Sequence, residues 1–147
     1  MNISEVTIYI MSSIIKLRGK GVSRIINSKV MLSPLAGVTD KIFRKLVRKW
    51  APESLLFTEM INATSLKHGY GTQKIKQLEL EKGPIGVQIF DNRPFAVSEA
   101  AKLAEDSGAF LIDINMGCPV KKISRKGGGS ALIKDRLLAI ELVKRVS

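Results

Sequence analysis

Cysteine, histidine and tryptophan each occur only once in this chain of 147 residues, and aromatics make up just 5% of it. A single cysteine excludes a disulfide framework and fits a reducing compartment, the cytoplasm. His68, the sole histidine, has no acidic or cysteine partner at ligand spacing, so it reads as structural or exposed and no metal site is expected. No apolar run is long enough to cross a membrane. Residues 3–15 are rich in apolar side chains but include Glu5, and a spanning helix needs about 20 apolar residues. No basic stretch precedes them and no small-residue cleavage site follows, which argues against a signal peptide. Acid is scarce: 13 Asp and Glu stand against 24 Lys and Arg, a net charge of +11. That balance suits a polyanion such as RNA, although a merely basic composition fits the same count.

What is present is a repeated alternation. Residues 1–28 form a lead-in, with 14–17 and 24–26 flanking Gly19-Lys20-Gly21 as a small hairpin. Met11 is a second candidate start. From residue 29 to the end, strands and helices alternate four times, the pattern of a parallel sheet with crossover helices. Strands are expected at 29–32, 55–58, 84–90 and 110–114. The first helix should open at Thr39 or Asp40 and bury Ile42, Phe43, Leu46, Val47 and Trp50. Its basic residues Lys41, Arg44, Lys45, Arg48 and Lys49 would then face water or RNA. Short helices are expected at 63–67 and 73–78, and Pro94 fits the first position of a longer one ending before Gly108. A last helix starts near Asp135, with Leu138, Leu142, Val143 and Val146 inward.

The informative stretch is Ala109-Phe110-Leu111-Ile112-Asp113-Ile114-Asn115-Met116-Gly117-Cys118-Pro119. Residues 110–114 have the length and β-branched content of a strand buried on both faces. Gly117, Cys118 and Pro119 must end it in a turn. Cys118 thus lies just past the C-terminal end of a strand, where parallel α/β sheets do their chemistry. An inert buried cysteine is the alternative.

The stretch 113–119 resembles the signature of the tRNA-dihydrouridine synthases, flavin enzymes built on a TIM barrel. Ser33-Pro34-Leu35-Ala36-Gly37-Val38-Thr39-Asp40 resembles that family's first strand and loop. Phe57-Thr58-Glu59-Met60 resembles its second strand and Val87-Gln88-Ile89-Phe90 its third. Together the four motifs cover residues 29–146. The resemblance implies an incomplete (β/α)8 barrel of about four N-terminal βα units, since a whole barrel takes about 250 residues.

The resemblance further implies that Pro34, Leu35, Ala36 and Gln88 touch FMN and that NADPH or NADH reduces it. In the family the cysteine, here Cys118, gives a proton to the uracil ring of tRNA. A thiol of ordinary pKa, about 8.5, is mostly protonated near neutrality yet acidic enough to act. Asn115 either hydrogen-bonds the base edge or ties down the turn. Lys121, Lys122, Arg125 and Lys126 would hold flanking phosphates of a flipped-out nucleotide. The glycines that follow either serve that loop or bring it close to the sheet. The family's fifth-strand basic residue, later histidine, phosphate loops and helical RNA-binding domain have no counterpart here. A non-catalytic basic fragment, or one half of a split enzyme, that binds RNA or a partner chain is the alternative function, the partner being a second copy by self-association or a complementing C-terminal half.

Overall fold

The computed structural model describes residues 9–11, 14–19 and 22–147. Three antiparallel strands come first: β1 (Tyr9–Met11), β2 (Ile14–Gly19) and β3 (Val22–Ile26). The expected hairpin is therefore present, paired from Ile15↔Ile26 to Gly19↔Val22, while its tip at 20–21 lies outside the described residues.

The second sheet is wholly parallel. It contains β4 (Met31–Leu32), β5 (Leu55–Phe57), β6 (Ile61–Asn62), β7 (Ile85–Phe90) and β8 (Leu111–Ile114). β5 and β6 share one edge of β7, meeting it at Ile85–Gly86 and at Ile89–Phe90, and β8 takes the other edge. The sheet therefore has four positions, filled in chain order. A doubly wound sheet reverses its strand order at a switch point, whereas a barrel never does. The expected fold class, an incomplete TIM barrel, is what the strand order gives.

The helices come where their caps dictate. Asp40 Oδ1 accepts the Phe43 N–H at 2.8 Å and opens α1 (Lys41–Trp50). Asn62 caps α2 (Ala63–Lys67), which is followed by α3 (Thr72–Lys76) and a 3-10 turn. Pro94 opens α4 (Pro94–Asp106), and Gly108 follows it with φ +88°. The four-residue α5 (Lys121–Ser124) precedes a 3-10 turn at Gly129–Lys134, and Asp135 caps α6 (Arg136–Val146). Val97, Ala100, Ala101 and Ala104 of α4 are buried with Leu56, Val87, Ile89, Leu132 and Leu142 in one core. Each fully buried aliphatic side chain there contributes roughly 1.5–3 kcal/mol. Small alanines let α4 pack between α2 and α6. Among the described residues, no helix is long and apolar enough to cross a membrane.

Three expectations are overturned. α1 is rotated from the expected facing: Phe43 and Val47 are half-buried and Lys45 and Lys49 exposed as expected, but Ile42 is 79% exposed, Leu46 52% and Trp50 86%, while Arg44 is only 4% exposed. The cause is polar. Arg44 donates from Nε to Glu81 Oε2 at 3.0 Å, from Nη2 to Glu81 Oε1, and from Nη1 to the Thr39 carbonyl at 2.7 Å. A carboxylate and a carbonyl beneath the helix need those donors, and a buried acceptor without one is costly. Arg48 is half-buried as well, donating to the carbonyls of Pro52 and Pro84 at 2.9 Å each. β8 is half-buried along its whole length instead of covered on both faces, because among the described residues its partner strand is β7 alone. Val143 is exposed, while Leu138, Leu142 and Val146 do face the core.

Candidate active site

At the C-terminal ends of β7 and β8, three polar side chains form a chain of hydrogen bonds. Gln88 Nε2 donates to Asp113 Oδ2 at 2.6 Å, and Asn115 Nδ2 donates to Gln88 Oε1 at 3.0 Å. Register brings them together: Gln88 is paired with Asp113 across the ladder. Asn115 also turns back on its own backbone. Its Oδ1 accepts the N–H of Gly117 at 3.2 Å and of Cys118 at 3.0 Å. The cysteine turn is thus fastened to the sheet through one amide. These bonds are the tie that one reading of Asn115 expects, and they do not bear on the base-edge reading.

A glycine loop backs the same turn. Ser130 N–H donates to the Cys118 carbonyl at 3.0 Å. Gly129 lies there with φ +58°, and a Cβ on it would stand 2.6 Å from that carbonyl oxygen. Only glycine fits this approach. Cys118 itself is half-buried, neither sealed in the core nor fully in water. Beyond it Lys121, Lys122, Arg125 and Lys126 are all exposed. Among the described residues, the side chain of none of them has a hydrogen bond or an ion pair.

The loop after β4 forms the neighbouring rim. Thr39, fully buried, donates through Oγ1 to the Leu35 carbonyl at 3.1 Å and accepts the Leu35 N–H at 3.0 Å. This closes a tight turn carrying Pro34, Leu35 and Ala36, with Leu35 and Ala36 exposed and Pro34 half-buried. The second sheet position is broken at Thr58, whose Oγ1 accepts the Gln88 N–H at 3.3 Å.

Residues 31–147 match the family model described as dihydrouridine synthase. The chain belongs to the dihydrouridine synthase family. It is 46% identical over 121 residues to a probable tRNA-dihydrouridine synthase 1 of Synechocystis sp., covering 82% of this chain and 34% of that protein. It is 44% identical over 121 residues to a tRNA-dihydrouridine synthase B of Xanthomonas axonopodis pv. citri, covering 80% and 34%. A tRNA-dihydrouridine synthase B of Pseudomonas aeruginosa is 38% identical over 122 residues, covering 81% and 36%. The chain spans about a third of the length of these curated relatives.

For a dihydrouridine synthase chain, the donor set at this edge fits a flavin ring. An amide offers two N–H donors and two oxygen lone pairs. Gln88 uses one donor on Asp113 and one lone pair on Asn115, so one of each is left for the ring's N and O edge. Leu35 and Ala36 supply apolar surface on the adjoining rim. Sequence reasoning missed Asp113 and Thr58 as contributors. An acid inside an otherwise apolar strand was the available signal for Asp113, whereas nothing local distinguishes Thr58.

Proposed function

We propose that this chain carries part of the catalytic centre of an FMN-dependent tRNA-dihydrouridine synthase, working in the cytoplasm with NADPH or NADH as reductant. One observation carries the reading: the Cys118 turn is held by Asn115 Oδ1 at the C-terminal end of parallel strands, in one hydrogen-bonded chain with Gln88. When bound and reduced, the flavin supplies a hydride to one carbon of the uracil 5,6 double bond. Cys118 gives its thiol proton to the neighbouring carbon and is reprotonated from water, so the double bond gains one hydrogen at each end. Pro34, Leu35 and Ala36 face the ring and Gln88 meets its polar edge. Asn115 keeps the cysteine in place. Lys121, Lys122, Arg125 and Lys126 hold the phosphates beside a uridine that has left its stack.

The test is Cys118→Ala in a chain joined to the remainder of a relative's barrel. It should keep flavin, since the thiol is not needed to hold the ring, and lose about 10²–10⁴ in rate of uridine reduction. Flavin content by absorbance and dihydrouridine formed in tRNA are the two measurements. Undiminished turnover would remove Cys118 from the mechanism.

A further inference from the structure

Glu59 lies in the break between β5 and β6, and neither the fold nor the proton-transfer chemistry above employs it. Its two carboxylate oxygens are both engaged. Oε1 accepts the Gly37 N–H at 2.7 Å, and Oε2 accepts from Lys74 Nζ of α3 at 2.8 Å. Its side chain is 16% exposed, against 53% for Lys74. Gly37 stands at the apex of the Leu35–Thr39 turn with φ +75°. The turn's own bonds run from Val38 and Thr39 N–H back to the Leu35 carbonyl and leave the Gly37 N–H unused. A single charged acceptor from the break between β5 and β6 takes it.

We infer that Glu59, steadied by Lys74, is a positioning residue that latches the Pro34–Leu35–Ala36 loop in its ring-facing conformation. The inference rests on the flavin reading above for what the loop faces. Charge-assisted hydrogen bonds are about twice as strong as neutral ones. Here one joins a left-handed glycine to an adjacent sheet position. From below, the loop is held by Thr39 Oγ1 and by Arg44 on the Thr39 carbonyl. At its tip it is held by Glu59 alone among the described residues. Without the carboxylate, the tip keeps its turn but loses its fixed distance from the Gln88 edge of the site.

The full 147-residue chain is compared as wild type, Glu59→Ala, Glu59→Gln and Lys74→Ala. One arm is deuterium uptake by the peptide covering residues 33–40. The other is fluorescence quenching of riboflavin, which has the ring but no phosphate. Glu59→Ala should raise uptake at the loop at least tenfold and weaken riboflavin binding by about the same factor. Glu59→Gln keeps an acceptor for the Gly37 N–H and should rescue both to within about threefold, with Lys74→Ala between. Unchanged uptake in Glu59→Ala would overturn the latch. Faster uptake with unaltered riboflavin binding would overturn its positioning role. Wild-type protein that does not quench riboflavin would overturn a ring-facing role for the loop in this chain, and loop uptake alone would still decide the latch.

Discussion

Two basic segments of this chain have opposite fates. In α1, Arg44 is buried and paired with Glu81, and Arg48 reaches across to backbone carbonyls. After the cysteine turn, Lys121, Lys122, Arg125 and Lys126 point into water with no side-chain partner among the described residues. Both segments contribute to the same net charge, yet the two arginines of α1 are spent inside the protein, whereas all four cations of the second segment are free to meet a phosphate. Charge counted from composition therefore overstates what is available for RNA. The arginines of α1 are committed to holding the helix against the sheet.

The largest test of this difference is Arg44→Ala. It strips the partner from a buried Glu81 and a donor from the Thr39 carbonyl, and should cost about 3–5 kcal/mol. Lys45→Ala, one residue away but exposed, should stay within about 0.5 kcal/mol. Urea denaturation of both variants measures the contrast, and equal midpoints would erase it.

Asp91 sharpens the comparison from the acidic side. Burial pushes its carboxyl up, but hydrogen bonds from Arg93, Thr64 and Asn92 outweigh that and hold it below the usual carboxylate range. Its Oδ1 accepts from Arg93 Nε at 2.9 Å and its Oδ2 from Thr64 N–H at 3.0 Å. A depressed folded pKa means stability that is fully present above the unfolded value, about 4. It is lost as pH falls through the lower folded value. Melting temperature should therefore drop on acidification below about pH 4, and Asp91→Asn should be less stable at neutrality and lose part of that dependence. Parallel acid profiles for both proteins would show that the pairing contributes nothing.

The smallest effect belongs to the free cations. Changing Lys121, Lys122, Arg125 and Lys126 to Ala should leave urea stability nearly unaltered and flatten the salt dependence of tRNA binding. Each lost phosphate contact lowers the slope by roughly 0.7–0.9. Filter binding across a salt series reads it, and an unchanged slope would leave these four residues as charges without an RNA role.

The same contrast explains what could be read from sequence. The two-residue β6 was not legible, but most strands, caps and stops were, because they are local: Asp40, Pro94 and Asp135 each act within a few residues. The strand-end position of Cys118 was legible for that reason too. The facing of α1 was not. Its apolar residues recur at helical spacing, and only the acid and the carbonyl beneath it, one of them 37 residues away at Glu81, turn Arg44 inward. Pairing of Gln88 with Asp113 depends on register between β7 and β8, which no local pattern encodes. Glu59 stood within a family-like motif, but its partners Gly37 and Lys74 come from two other segments.

That the parallel sheet is filled in chain order has a consequence for how the molecule is made. No strand has to be threaded between two neighbours already in place, since each newly emerged strand adds to the edge left by the one before. At about 5–20 residues per second, synthesis of a chain this size takes on the order of ten seconds. β4, β5 and β7 can therefore dock in succession while later segments are still on the ribosome. A sheet whose strand order doubles back would have to hold a gap open for a segment not yet translated; this one is built outward from its own beginning.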